Sequence, residues 1–151
     1  DQLTFEITEG SLLVDGPRTR STIDRLHRIG VRLSIDDFGT GYSSLSYLRK
    51  LPVTELKIDR SFVTDLLTEQ QDEVIVRSTI DLGHNLGMTV VAEGAESRAV
   101  VEQLRTMGCD VVQGFGIARP MPLGALEQWL ADRLDPPLDS RPLAAEATSV
   151  S

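Results

Sequence analysis

Five times along this chain a strand-like run hands over to a helix-like one, and that alternation leaves few folds open. Residues 3–9 alternate apolar with polar or acidic side chains, the period of a strand. Gly16 and Pro17 then open a helix, with Pro17 suited to the first turn; Ile23, Leu26 and Ile29 mark its apolar face and Gly30 ends it. A strand at 31–35 leads to a short helix at 43–50 that carries Leu45 and Leu48 and is stopped by Pro52. A third strand covers 55–59. The helix after it, at 71–86, repeats Val74, Ser78, Leu82 and Leu86 at helical spacing and closes at Gly87. The last two units are a strand at 88–92 with a helix capped by Ser97, and a short strand at 110–113 with a helix at 123–134. Such alternation predicts an α/β fold of about five parallel strands joined by crossover helices. Pro136, Pro137 and Pro142 lead into a small, polar segment, so the expected division is a folded body over 1–134 and a disordered tail or linker over 135–151.

The polar residues obey one rule. Glu6 and Glu9, Asp36 and Asp37, Lys57 and Asp59, Glu93, and Gln113 all sit at the C-terminal ends of predicted strands. In parallel α/β folds the ligand site forms on that side. Strand alternation sharpens the expectation: if Phe5 and Ile7 face the helices, Glu6 faces away, and by the same count Asp36, Lys57, Glu93 and Gln113 point away from Ile35, Ile58, Ala92 and Val112. Five strands then aim three carboxylates, an ammonium and an amide at one centre. A buried ion-pair network would be short of positive charge, which a bound divalent cation would supply. The stretch Asp36-Asp37-Phe38-Gly39-Thr40-Gly41 can also be read as a plain strand-to-helix turn in which Asp37 caps a helix.

Composition narrows the function classes. The chain has 151 residues with 23 acidic against 15 basic ones, a net charge of −8, which argues against DNA, RNA or an anionic membrane as partner. No apolar run approaches the ~20 residues of a membrane-spanning helix. The single Cys109 excludes an internal disulfide, and a cytoplasmic location is the expectation. His27 and His84 read as surface or packing residues, Cys109 as a small buried side chain, and the arginines at 18, 20, 25, 28 and 32 as a solvated helix face.

Glu6-Ile7-Thr8-Glu9, the run from Asp36 to Leu45, Leu51-Pro52, Leu56-Lys57-Ile58-Asp59, Ala92-Glu93-Gly94-Ala95-Glu96 and Gln113-Gly114-Phe115 follow one another in order. Together they resemble the second half of an EAL domain, the bacterial phosphodiesterase that hydrolyses cyclic di-GMP, over about residues 3–133. The resemblance implies the C-terminal part of a modified TIM-type (β/α) barrel and a site at its C-terminal face that binds two Mg²⁺ or Mn²⁺ ions and cuts one phosphodiester to give linear pGpG. Residue by residue, it implies metal ligands at Glu6, Asp36, Asp37 and Glu93, with Asp36 bridging. Lys57 matches a lysine beside the attacking water, Gln113 and Asp59 match residues of the catalytic face, and Glu9 matches a glutamate that holds the loop of Gly39, Thr40 and Gly41. Glu93 is left open between ligand and general base.

The chain departs from the family pattern in two places. Ala95 stands where valine is usual, and the Glu-Ala-Leu motif with its downstream asparagine ligand belongs to a first half that is not in these 151 residues, about three of eight strands. The expectation is therefore a metal-dependent phosphodiesterase in the parent domain, with this stretch alone inactive. The alternative is a non-catalytic cyclic di-GMP receptor or protein-interaction module. The resemblance also leaves room for a homodimer, for sensory or GGDEF-type domains in the parent protein, and for a membrane anchor in its N-terminal region.

Overall fold

The computed structural model describes residues 3–11, 16–41 and 48–134. The chain forms two compact units, 1–118 and 119–151. The first contains one five-stranded sheet in the order β1 (Thr4–Thr8), β2 (Arg32–Phe38), β3 (Glu55–Ile58), β4 (Thr89–Ala92), β5 (Val111–Val112), with every neighbouring pair parallel. Its described helices are α1 (Gly16–Arg28), α2 (Arg60–Thr64), α3 (Gln70–Asn85) and α4 (Arg98–Thr106). The alternation of strand and helix and the parallel pairing are as the sequence predicts. The second unit holds α5 (Leu123–Leu134), in which the Arg133 guanidinium lies 4.1 Å from the centre of the Trp129 ring. The expected tail at 135–151 lies outside the described residues, as do positions 43–47 of the helix expected at 43–50. No helix among the described residues is long and apolar enough to cross a membrane.

The core lies on one face of the sheet. Leu33 and Ile35 of β2, Leu56 and Ile58 of β3, and Val90 and Ala92 of β4 are fully buried against the helices. The other face carries Ser34, Lys57 and Val91, together with Asp36 and Glu93 at the strand ends. That split follows from the period-two alternation of strand side chains. β1 and β5 form the two edges, and their Phe5 and Val111 are 44% and 45% exposed.

Several local expectations need correction. Val74 on α3 is 58% exposed; the helix instead buries Val76, Thr79, Ile80 and Gly83. Gly83 sets this face, because a side chain there would run into Val90, so the helix approaches β4 closely only with its glycine turned inward. Ile29 lies just past the end of α1 and is 76% exposed. Phe5 stands opposite Leu33 on the helix side of the sheet, as expected, but on the edge strand it stays 44% exposed. Helix α2 was not expected. It starts directly after β3, with Asp59 as N-cap: the Asp59 carboxylate accepts the Ser61 N–H at 2.9 Å.

His84 and Asp110 form a pair at the other end of the strands. Asp110 Oδ2 accepts the Val90 N–H at 2.7 Å and lies 2.9 Å from His84 Nε2. Burial works against the Asp110 charge, but the Val90 amide and His84 outweigh it and hold its pKa below the usual carboxylate value. A carboxyl with a depressed folded-state pKa stabilises above its unfolded pKa of about 3.9 and loses that contribution as pH falls through the folded value. In a protein carrying the complete domain, Asp110→Ala should cost about 1–3 kcal/mol at pH 7, because the Val90 N–H is left buried without its acceptor. The gap from the parent protein should narrow as pH drops below about 4. Urea unfolding at several pH values measures both, and a gap independent of pH would contradict the assignment.

Candidate active site

The centre of the polar face is the Lys57 ammonium. It lies 2.7 Å from Glu6 Oε1, 3.1 Å from Asp36 Oδ1 and 2.6 Å from Glu93 Oε1. Four adjacent strands supply these groups: β1 gives Glu6, β2 gives Asp36, β3 gives Lys57, and Glu93 follows the last residue of β4. Parallel register makes the meeting possible, since Glu6 stands opposite Ser34, two residues before Asp36, and Lys57 opposite Val91, two residues before Glu93. The Lys57 side chain is 7% exposed, against 51% for Glu6, so the cluster opens to solvent on the β1 side. Burial disfavours the Lys57 charge, but its contacts with Glu6, Glu93 and Asp36 outweigh it and raise the pKa well above the usual lysine value. Lys57 is therefore a fixed positive charge.

Simple alternation cannot place Asp37, which would point into the core. A bulge in β2 changes this. Ile35 pairs with Leu56 and Phe38 with Ile58, so β2 spends one residue more than β3 across the same interval. Asp37 sits in that interval with a φ of 55°, the only described non-glycine residue with positive φ. The extra residue returns Phe38 to the core, where it is 9% exposed, and leaves Asp37 facing Asp36, Asp59 and Glu93. Burial first, then the charges of Asp36 and Asp59, raise the Asp37 pKa. Asp59 moves the other way: burial opposes its charge, but the Ser61 hydroxyl and amide stabilise it and lower its pKa.

The loop after the aspartates hangs on Glu9. This side chain is 2% exposed, and its Oε2 accepts the Gly39 N–H at 2.9 Å and the Gly41 N–H at 3.2 Å. Thr40 turns back to Asp37, whose carbonyl accepts the Thr40 hydroxyl at 2.9 Å. Asp59 caps α2, while the start of the helix that Asp37 was expected to cap lies outside the described residues. Gln113 follows the last residue of β5. Its backbone pairs with Ala92 and Ala95 at the end of β5, while its side chain is exposed. Beside the cluster, a cavity of about 560 Å³ opens between α2 and the strand-end loops, lined by Arg60, Ser61, Gly94, Glu96, Gly114 and Phe115. Sequence reasoning missed Arg60, Ser61 and the bulge, and only the apolar Phe38 directly after two aspartates hinted at the bulge.

Residues 1–120 match the EAL domain family. The chain belongs to the EAL-domain family. The cyclic di-GMP phosphodiesterase NbdA of Pseudomonas aeruginosa is 48% identical over 141 residues, which cover 91% of this chain but 18% of NbdA. The bifunctional diguanylate cyclase/cyclic di-GMP phosphodiesterase MucR of the same organism is 46% identical over 129 residues, 85% of this chain and 18% of MucR. Among solved structures, the cyclic di-GMP complex of the PaMucR phosphodiesterase superposes with a TM-score of 0.78 at 45% identity, covering 82% of this chain and 50% of that one. The manganese and cyclic di-GMP complex of Klebsiella pneumoniae BlrP1 gives 0.73 at 35% identity, covering 79% of this chain and 30% of that one. The EAL fold is a TIM-barrel-like α/β fold, and the five parallel strands seen here are part of it.

The acids of this site outnumber its cation, and Asp37 carries the electrostatic cost. A carboxyl whose folded-state pKa is raised destabilises the fold once pH climbs above its unfolded value. Asparagine tolerates the left-handed backbone as aspartate does and removes the charge. In a protein carrying the complete domain and in buffer free of divalent cations, Asp37→Asn should raise Tm by about 2–4 °C at pH 7. That shift corresponds to about 1 kcal/mol of relieved repulsion between neighbouring carboxylates in water-like screening. A lowered Tm by calorimetry would mean that the Asp37 charge stabilises the fold.

Proposed function

We propose that the domain to which this chain belongs hydrolyses cyclic di-GMP to linear pGpG with divalent cations. The observation that carries the reading is the convergence of Glu6, Asp36 and Glu93 on Lys57 at the ends of adjacent parallel strands. Family membership supports the substrate. The chain spans 18% of the length of the curated relatives named above, so the whole protein's activity and partners belong to this proposal. We also propose that the EAL segment runs to about residue 134, with 135–151 as a tail or linker.

The donor chemistry fits hard cations. Glu6, Asp36, Asp37, Asp59 and Glu93 offer only oxygen atoms and outnumber Lys57, the arrangement Mg²⁺ or Mn²⁺ prefers. Asp36 Oδ1 is buried and has no aligned hydrogen-bond donor, although Lys57 stands within ion-pair distance. As they stand, Glu6, Asp36 and Glu93 are turned onto Lys57, and no three Asp, Glu, His or Cys side chains among the described residues converge on a point that could hold an ion. In our reading Glu6, Asp36, Asp37 and Glu93 hold the cations, which when bound supply Lewis acidity at the phosphodiester.

The rest falls to the chain's own residues. Lys57 presents fixed positive charge toward the phosphoryl oxygens as their charge grows. A water attacks phosphorus, one P–O3′ bond breaks, and the water's proton leaves while the released 3′ oxygen gains one. Glu93, at hydrogen-bond distance from Lys57, serves as ligand or as the base that takes the water's proton. Gln113 offers a neutral amide at the rim, and Glu9 keeps the Gly39–Gly41 loop in place.

In a protein carrying the complete domain, Asp36→Asn should lower kcat by at least ~10²-fold with Mg²⁺ present, the scale of one lost electrostatic contact in a transition state. Unchanged turnover would overturn the ligand role. A parent protein that binds cyclic di-GMP without forming pGpG would favour the receptor reading. The isolated 151 residues should form no pGpG with Mn²⁺ and should self-associate through β1 and β5, each paired on one side only within the described sheet. Size-exclusion chromatography and an assay for pGpG check this, and an active monomer would contradict it.

A further inference from the structure

Helix α2 spans only Arg60–Thr64, yet it touches the loops that follow both acidic strand ends. On one side the Phe62 ring meets Gly39, two residues after Asp37. A Cβ added to Gly39 would lie 3.0 Å from Phe62 Cε2, and the Gly39 φ of 102° already disfavours any side chain there. On the other side Arg60 meets Gly94, the residue after Glu93. A Cβ added to Gly94 would lie 2.6 Å from Arg60 Cβ and 3.3 Å from Arg60 Cα, and the Gly94 φ is 74°. The helix is rooted in the core: Val63 is fully buried, and Phe62 packs partly buried against the cluster of Ile58, Ala92 and Ala95.

Gly39 is therefore held from two directions. The Glu9 carboxylate takes its N–H, and the Phe62 ring edge stands where a Cβ would point, while Gly39 otherwise remains exposed. The hydrogen bond fixes where the amide points, but a glycine held by one hydrogen bond keeps wide backbone freedom. The ring stands on the side toward which that freedom would carry a side chain. Two residues earlier the chain must keep Asp37 at a φ of 55°, a conformation that persists only where its surroundings over-determine it.

We propose that Phe62 is a positioning residue of this site. Pressed against Gly39, it holds the turn that keeps Asp37 beside Asp36, while the Arg60 backbone steadies Glu93 through Gly94. The role rests on the phosphodiesterase reading for its catalytic consequence, but not for its structural one. Phe62 touches neither substrate nor reacting atoms and acts through Gly39.

The test uses a protein carrying the complete domain and the variants Phe62→Leu, Phe62→Ala, Gly39→Ala and the double variant Gly39→Ala/Phe62→Leu. Phe62→Leu keeps an apolar side chain in the core and removes the ring edge. Without substrate or cation, amide exchange at Gly39 and Gly41 should rise about tenfold in Phe62→Leu, while the core amides of β2, β3 and β4 keep their protection. With Mn²⁺ and cyclic di-GMP, kcat should fall about tenfold and KM should change less than about threefold, within the ~10²-fold that a displacement of about 1 Å can cost. Gly39→Ala should slow the parent protein more than it slows Phe62→Leu, because the added methyl meets the ring only in the first. Phe62→Ala should enlarge the effects in the same order.

Unchanged exchange at Gly39 in Phe62→Leu would overturn the proposal. So would strictly additive effects of the two substitutions, or exchange rising equally across the core, which would reduce Phe62 to a packing residue. If the parent protein makes no pGpG, the phosphodiesterase reading fails by itself, and the exchange measurements still decide whether Phe62 braces the loop.

Discussion

A single desolvated ammonium, Lys57, is the constraint around which the acidic strand ends are arranged. Three carboxylates from three other strands lie within 3.1 Å of it, and its side chain is 7% exposed. Removing one partner from such a cluster costs far more than its presence gains, because the remaining charges lose their compensation. Lys57 thus ties β1, β2 and β4 to β3 at the one place where like charges would otherwise push the strand ends apart. The cluster gathers negative charge at the strand ends and keeps among it a positive charge that the surrounding acids stabilise.

Around this centre the backbone is bent to serve side chains. The β2 bulge and the positive φ of Asp37 put two consecutive carboxylates on the same side, which a regular strand cannot do. The departure is held by non-local contacts: Glu9 from beyond β1 grips the loop amides, and α2 presses on the loop from the β3 side. Buried acceptors and close-packed glycines here do the work that hydrogen-bonded ladders do within the sheet.

Much of this was legible in the chain. The strand–helix alternation, the Ser97 cap, the glycine stops and the placement of Glu6, Asp36, Lys57 and Glu93 at strand ends all appear as expected, because each depends on local propensity or on the short period of a strand. Helix α2 was not legible. It has five residues and too little length for an apolar period, and its start is signalled only by Asp59, which also reads as the end of β3. The face of α3 was misread in its first half: Val74 and Ser78 are exposed, while Leu82 and Leu86 pack partly buried against the core, and the close approach of Gly83 to Val90 sets the buried face.

The sequence by itself determined the parallel α/β order, the side of the sheet on which the polar groups gather, and the family. Residue type and local period carry that information along the chain. The tertiary structure alone decided that Lys57 sits among Glu6, Asp36 and Glu93, that a bulge turns Asp37 toward Asp36, and that Phe62 closes on Gly39. These are contacts between residues many positions apart. They follow from strand register and from how closely glycines let backbone and side chain approach, and no local pattern encodes either.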